Sequence, residues 1–247
     1  MFPPYDSPDV VYVTPSLNVG IGFKEATSNI ESKLHVSGNV KIDYGKLYGY
    51  QSNIELIGTA NAYVGTGSGP QLIWESNKSY FRAGYASGDN INIQANYGDF
   101  SSDFGRDNAV GGDYSSAIGN DNTNNADSSI TIGKSNIVNT GADYSGVLSG
   151  FDNQIEDDSL QGYSAIVGGQ SHKVYGPFNT IIGGFQHQLY GDYSSILGGF
   201  ANNILQTSSS SDYSTILGGT NNSIDGSSYS IIAGFNARIL DSHDGVF

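Results

Sequence analysis

The sequence contains no cysteine and few positive charges, and both shortages exclude classes of function. Without cysteine, the chain has neither disulfide bonds nor thiolate metal sites. Only 10 lysine and arginine residues oppose 24 aspartate and glutamate residues, so the formal net charge is −14. A chain with this charge repels phosphate backbones and anionic lipid, which argues against a nucleic-acid partner.

Long apolar runs are also missing. No segment has the roughly 20 consecutive apolar residues that a membrane-spanning helix needs. The first residues, MFPPYDSPDVVYV, lack the basic and apolar regions of a signal peptide. We therefore expect no membrane insertion.

Glycine, tyrosine and β-favouring residues are abundant instead. Of the 247 residues, 34 are glycine and 17 are tyrosine. Strong helix formers are scarce, and in the first half of the chain only KEATSNIESK, residues 24–33, is a candidate for a short helical turn. The composition predicts an all-β fold with many tight turns.

Local composition divides the chain into three predicted domains. Residues 1–15 hold four of the six prolines and predict an extended N-terminal attachment segment. Residues 16–106 contain short alternating segments that end at glycine, asparagine or aspartate, and predict a β-rich shaft or attachment region. Its lone tryptophan, Trp74, is expected in the core. Residues 107–247 predict a repeat array.

The repeat is clearest in residues 193–204, YSSILGGFANNI, and residues 213–224, YSTILGGTNNSI. We number each unit from its aromatic residue as position 0. Apolar residues follow at +3 and +4, glycines at +5 and +6, asparagine or histidine at +9, and an apolar residue at +11. The predicted copies begin at Tyr114, Asp127, Tyr144, Tyr163, Phe178, Tyr193, Tyr213 and Ser228.

The spacing between copies predicts an elongated β-solenoid. The starts at 163, 178 and 193 are 15 residues apart, and the longer gaps contain polar insertions. A short unit that tolerates insertions at one point is typical of a coil with two strands and two turns. Eight such coils, stacked at about 4.8 Å each, would give a column of about 40 Å.

The apolar pair at +3 and +4 predicts two buried surfaces. Neighbouring residues of a strand point to opposite faces, so one member faces the inside of its coil and the other needs a second apolar surface. Another copy of the chain, packed around a long axis, would supply that surface; a two-sheet sandwich is the alternative. The predicted coil and trimer core consists of Ile166, Val167, Ile181, Ile182, Ile196, Leu197, Ile216 and Leu217.

The residues at position 0 predict an aromatic ladder, in which each ring stacks on the next and stabilises the sheet. The alternative is an exposed row that contacts glycan on a host surface. Phe178 lacks a hydroxyl group, which favours the ladder. The predicted ladder residues are Tyr144, Tyr163, Phe178, Tyr193 and Tyr213.

His172 and His187 occupy position +9 of consecutive coils, where other units have asparagine. In a trimer each would supply one imidazole to a ring of three, which can bind a transition metal. The alternative is that histidine replaces asparagine as a hydrogen-bonding side chain. No acid pair, nucleophile–base grouping or phosphate loop survives inspection, so we predict no catalytic residue and no cofactor.

Two parts of the sequence resemble known protein families. The units GDYSSILGGFANNI and SDYSTILGGTNNSI resemble the head repeats of YadA-like trimeric adhesins, which form a left-handed parallel β-roll; this likeness covers roughly residues 112–247. The final residues, YSIIAGFNARILDSHDGVF, resemble the last coil of such arrays. Separately, LNVGIGFKEATSNIESKLHVSGNVKI resembles a segment that is common in bacteriophage tail-fibre proteins.

The resemblances imply a homotrimeric, non-enzymatic protein of a virion or cell surface. Adhesins of this family carry a secretion signal, a coiled-coil stalk and a membrane barrel, none of which this sequence shows. We therefore expect a tail fibre or spike of a bacteriophage virion. Its implied partners are two further copies of itself, other tail or capsid proteins, and a glycan or protein of the host surface. The alternatives are a trimeric adhesin head on a bacterial cell surface and a polysaccharide-degrading tailspike.

Overall fold

The structure is a computed structural model that describes residues 69–75, 78–87, 97–156, 162–206 and 211–240. These residues all belong to one compact unit, Glu55–Phe247. The predicted attachment segment, 1–15, and the tail-fibre-like segment, 17–42, lie outside the described residues.

The described residues form strands and turns and contain no helix, which confirms the predicted all-β class. The strands in chain order are β1 (Gly69–Glu75), β2 (Tyr80–Ala86), β3 (Ser102–Arg106), β4 (Ala109–Val110), β5 (Ser116–Asn120), β6 (Thr123–Asn124), β7 (Ile130–Lys134), β8 (Ile137–Val138), β9 (Gly146–Val147), β10 (Gln154–Glu156), β11 (Ala165–Ile166), β12 (Lys173–Tyr175), β13 (Thr180–Ile181), β14 (Gln188–Leu189), β15 (Ser195–Ile196), β16 (Asn203–Leu205), β17 (Thr215–Thr220), β18 (Ser223–Asp225), β19 (Ile231–Phe235) and β20 (Arg238–Leu240).

From β3 onwards the chain alternates between two sheets and forms a β-solenoid of about nine coils. The odd-numbered strands β3 to β19, with β1 and β2, make an 11-stranded first sheet, and the even-numbered strands β4 to β20 make a 9-stranded second sheet. Each strand pairs in parallel with the equivalent strand of the next coil; Ile181 lies opposite Ile196, for example. The predicted solenoid of coils of about 15 residues is confirmed.

Parallel stacking begins N-terminal to residue 107. β2 pairs in parallel with β3, and β3 pairs in parallel with β5. The coil that begins at Phe100 was not predicted from the sequence, because Asp103 occupies its inward position in place of the apolar residue that marks the other copies.

β1 pairs antiparallel with β2 and covers the edge of that strand. Alternation along β1 buries Glu75 and leaves Trp74 42% exposed. The expectation that Trp74 lies in the core is therefore wrong.

Two residues with left-handed backbone conformation form the turns of each coil. At position 0, φ lies between 53° and 61° at Phe100, Tyr114, Ser128, Tyr144, Tyr163, Phe178, Tyr193, Tyr213 and Tyr229. A second left-handed residue follows at each opposite turn, such as Gln186 and Ala201. Non-glycine residues adopt this conformation uncommonly, so their regular recurrence defines the frame of the repeat.

This frame corrects the predicted copy at Asp127. The left-handed residue is Ser128, and Thr131 is the buried residue at +3, whereas Ile130 faces outwards and is half-buried. The sequence assignment was wrong because it placed the apolar residue inside. The turn, rather than hydrophobicity, decides which residue points inwards.

The last copy is shifted in the same way. Its position 0 is Tyr229 rather than Ser228, which places Ile232 inside the coil and leaves Ile231 exposed. In the register of the sheet, Ile232 lies opposite Ile216, and the pairing then shifts between Ile216 and Gly218.

The core consists of two rows of aliphatic side chains, one from each sheet. The row at +3 contains the predicted Ile166, Ile181, Ile196 and Ile216, all fully buried. The facing row comes from the second sheet and includes Ile155, Val174, Leu189, Ile204 and Ile224. The inner half of the apolar-pair prediction therefore matches the fold.

The paired glycines form the corner between the two sheets. Gly198 has φ of 150° and Gly199 has φ of 97°, and L side chains rarely adopt either value. A Cβ atom on Gly199 would overlap the carbonyl oxygen of Gly219 in the next coil, whereas one on Gly198 would meet only the carbonyl oxygen of Gly183, at 4.0 Å. The second glycine thus permits close stacking, and the first leaves the outer surface flat.

We expect Ile196→Ala to lower the free energy of unfolding by about 2–5 kcal/mol, because it leaves a cavity in the closed coil. Denaturant unfolding at fixed protein concentration measures the loss. Gln188→Ala, at an exposed position of β14, is the control and should change stability by less than about 0.5 kcal/mol. Equal losses in the two variants would contradict the buried row.

Candidate functional site

A ladder of side-chain hydrogen bonds runs through the coils at position +9 and its equivalents. In each coil the backbone N–H of this residue donates to the side chain of the equivalent residue in the preceding coil, at 3.0 to 3.1 Å. The residues are Asn108, Asn122, Asn136, Asn153, His172, His187, Asn202 and Asn222. All eight are fully buried, so the ladder lies inside the coil.

His172 and His187 are members of this ladder. His172 Nδ1 accepts from the backbone N–H of His187 at 3.1 Å, and His187 Nδ1 accepts from Asn202 at 3.1 Å. The two rings stack with their centroids 4.8 Å apart. Because both rings are enclosed by their own coil, this arrangement does not present them to other copies for a metal-binding ring. They occupy the place of asparagine.

Burial keeps both imidazoles neutral. Burial first, and the neighbouring His187 second, lowers the pKa of His172 to about 4. Burial also lowers the pKa of His187. A neutral ring suits the ladder, since a protonated Nδ1 could not accept a hydrogen bond.

All five predicted aromatic residues stack in one ladder. Successive ring centroids from Tyr144 to Tyr213 lie 4.6 to 5.2 Å apart, with ring planes within 11° of parallel, and Tyr229 extends the row. The tyrosines of this row are nevertheless 46% to 62% exposed. The row therefore stabilises the first sheet and reaches the solvent as well.

The outer members of the predicted apolar pairs form an exposed row. In the single chain, Leu148, Val167, Ile182, Leu197 and Leu217 are 40% to 53% exposed. Alternation of the strand places them opposite the buried residues at +3. The single chain thus contains no partner surface for this row among its described residues.

A second apolar row lies beyond the glycine corner. It contains Phe151, Phe185 and Phe200, and the rings of Phe185 and Phe200 are 5.5 Å apart. Gly183, Gly198 and Gly218 lie between the two rows. We name the eight residues of both rows the outer apolar face: Leu148, Val167, Ile182, Leu197, Leu217, Phe151, Phe185 and Phe200.

The aspartates before position 0 have a structural role. The carboxylate of Asp143 accepts from the backbone N–H of Asp127 at 2.9 Å, and Asp212 likewise accepts from Asp192 at 3.0 Å. These carboxylates join equivalent positions of successive coils. They form an acidic row beside the aromatic ladder.

The first coils contain a buried polar cluster that the sequence analysis did not find. Arg82 Nε lies 3.2 Å from Asp103 Oδ2, and Asn108 donates to Asp103 Oδ1 at 2.8 Å. Burial raises the pKa of Asp103, against the opposing effects of Asn108 and Arg82. Tyr80 and Tyr97 stack beside this pair at 4.0 Å. The groups are almost completely enclosed, so no substrate reaches them.

Across the described ranges, no group of three or more histidine, cysteine, aspartate or glutamate side chains could hold a metal ion. The same residues include no helix that is long and apolar enough to cross a membrane. In comparisons with known proteins, no family model matches the chain, and neither does any curated protein or solved structure. The outer surface of the solenoid is therefore the basis for a functional proposal.

We expect the stability of the fold to fall as the pH decreases from the ordinary histidine pKa of 6.5 towards 4. In this window the unfolded chain binds protons that the folded chain excludes, so the contribution is complete above the ordinary pKa and is lost below it. For His172 the loss is roughly 3 kcal/mol.

Thermal unfolding as a function of pH measures this effect. The matched control is the double variant His172→Asn/His187→Asn, which keeps the acceptors of the ladder and retains the pH dependence of every other titratable group. Identical pH profiles for the two proteins would contradict the buried, neutral histidines.

Proposed function

We propose that the chain is a structural fibre or spike protein of a bacteriophage virion, homotrimeric and non-enzymatic, which displays the β-solenoid for attachment to a host surface. The observation that carries the proposal is the outer apolar face. Its side chains at +4 recur in five successive coils, and seven of its eight side chains are 40% to 53% exposed in the single chain.

The continuity of this face favours self-association. Along five coils, equivalent side chains repeat at the strand spacing, which gives a stripe about 20 Å long. Contiguous apolar surface of this kind is uncommon on monomeric proteins and marks an interaction site. Phe151, Phe185 and Phe200 widen the stripe around the corner.

The flat glycine corner favours a shared axis. Gly183, Gly198 and Gly218 present backbone without side chains between the two apolar rows, so other chains can approach closely there. Copies related by rotation about an axis parallel to the column bury the same stripe on every chain, and a closed ring satisfies all of them. Three copies are the number that the adhesin-like repeats imply.

Assignment to a phage particle rests on the sequence. The segment at 17–42 resembles tail-fibre proteins, and the negative charge argues against nucleic acid as a partner. Location of the gene among capsid and tail genes would support this assignment. A location among secretion genes would favour the adhesin head instead.

The non-enzymatic assignment has its own test. Incubation with capsular polysaccharide of the host should release no reducing ends. Release of reducing ends would establish a polysaccharide-degrading tailspike and overturn this part of the proposal.

We expect the wild-type chain to have about three times the 26.1 kDa mass of one chain at micromolar concentration. The double variant Leu197→Asp/Leu217→Asp should have the mass of a single chain, because association would bury unpaired charges at a cost of several kcal/mol. Light scattering coupled to size exclusion measures both masses.

Circular dichroism tests whether this variant remains folded, which is expected because both side chains lie outside the coil. Gln188→Asp, on the exposed side of the second sheet, is the matched control and should retain the wild-type mass. A well-folded wild-type monomer would overturn the self-association proposal.

A further inference from the structure

Within the described coils from Phe100 to Tyr229, Ser128 is the one position 0 that lacks an aromatic ring, and it leaves a gap in the aromatic ladder. This serine occupies position 0 with φ of 53°, between the coils of Tyr114 and Tyr144. Tyr114 stacks on Phe100 at 5.0 Å, and Tyr144 stacks on Tyr163 at 4.9 Å. The ring faces that Tyr114 and Tyr144 turn towards Ser128 therefore have no aromatic neighbour.

Exposure of the rings reflects this gap. Tyr114 and Tyr144 are 64% and 59% exposed, whereas Tyr193 and Tyr213, which have neighbours on both sides, are 46% and 49% exposed. The missing rung leaves the two rings about two strand spacings, or 9.6 Å, apart. This opening is wide enough to admit one further ring.

The gap opens into a groove on the outer side of the first sheet. The groove has a volume of about 500 Å³, which falls within the range of small-molecule sites. Ile130, Gly146 and Leu148 contribute to its lining, and Leu148 is also the first residue of the outer apolar face, so the groove adjoins the N-terminal end of that face. A Cβ atom on Gly146 would lie 2.9 Å from Ile130 Cγ2, so glycine at this position leaves room that a larger residue would take.

The polar groups of the groove are uncharged. Ser116 and Ser128 contribute hydroxyl groups, which both donate and accept hydrogen bonds. No charged side chain is among the residues that line the groove. Asp113 and Asp127, which directly precede Tyr114 and Ser128 in the chain, give the surroundings a negative charge that disfavours anions.

We infer that this groove binds an uncharged pyranose sugar between the rings of Tyr114 and Tyr144. A pyranose has apolar C–H faces that pack on aromatic rings and hydroxyl groups around its edge that pair with serine. Phosphorylated, sulfated and carboxylated sugars meet the acidic row and bind more weakly. The inference rests on the proposed function, which supplies the source of the sugar: a glycan on the host surface.

Saturation-transfer NMR on the full chain tests the groove directly. The probes are the methyl pyranosides of glucose, galactose, mannose and N-acetylglucosamine at millimolar concentration. At least one of them should show transfer, and methyl glucuronide should bind several-fold more weakly than methyl glucoside. Absence of transfer to all four would overturn the inference, and so would binding of phenol without binding of any pyranoside.

The decisive variant is Ser128→Tyr, which fills the gap with the residue that the other coils carry. Its backbone already has the conformation of the other ladder tyrosines, so we expect a folded protein with a melting temperature about 2–4 °C higher. Sugar binding should fall at least tenfold. Unchanged binding in this variant would overturn the inference.

Two further variants separate the groove from the rest of the ladder. Tyr114→Ala removes one wall and should weaken sugar binding at least tenfold. Tyr213→Ala removes an equivalent ring elsewhere in the ladder and should leave binding unchanged. Equal losses in both would overturn the inference.

Light scattering on the same samples distinguishes this inference from the proposed function. Loss of sugar binding in Ser128→Tyr at unchanged mass supports the groove and leaves self-association intact. A monomeric wild type that binds sugar would overturn self-association and retain the groove. A trimer that binds none of the probes would support self-association and overturn the inference of a sugar-binding groove.

Discussion

One hydrogen bond inside the solenoid recurs from coil to coil and helps to hold each coil in register with the next. It runs from the backbone N–H at position +9 to a buried side-chain acceptor of the preceding coil. Many strands are only two or three residues long, as in β13 to β16, and backbone hydrogen bonds such as Phe185 N–H to the Gly199 carbonyl at 3.0 Å continue the pairing outside them. A slip of one residue would turn every inward side chain outwards. The core, the aromatic ladder and the outer apolar face all require this alignment, because each is a row of equivalent residues.

The sequence was sufficient to predict which residues stack in rows, but not which residue occupies position 0 in every coil. Glycine pairs and aromatic residues recur with the coil, so the all-β solenoid and the stacking of Tyr144 to Tyr213 could be predicted. The copies at Ser128 and Tyr229 could not be placed correctly from hydrophobicity, since Ile130 in the first and Ile231 in the second are apolar residues on the outer face. The left-handed turn decides the frame there, and no residue type marks that turn uniquely. The coil at Phe100 was missed because Asp103, paired with Arg82, fills its interior.

The outer apolar face and the groove both depend on the stacking of equivalent residues, the first on its regularity and the second on an interruption. The outer apolar face arises where the repeat is kept: Ile182, Leu197 and Leu217 present one kind of side chain in successive coils, which suits a partner with the same period. The groove arises where the repeat is broken, at Ser128. Repetition therefore favours association with copies of the chain, and a departure from repetition favours a distinct ligand. Only the position of Ser128, not its chemistry, distinguishes it from the other serines in the sequence.

The polar insertions occur at the same place in the repeat. Both longer gaps in the array, at 157–161 and 207–210, occur between a strand of the second sheet and the next position 0. The strands β10 and β16, which precede these gaps, still pair with their neighbours in register. The entropic cost of a longer loop grows only slowly with its length. The length of chain between these strands can therefore differ from one coil to another while the stacked scaffold stays the same.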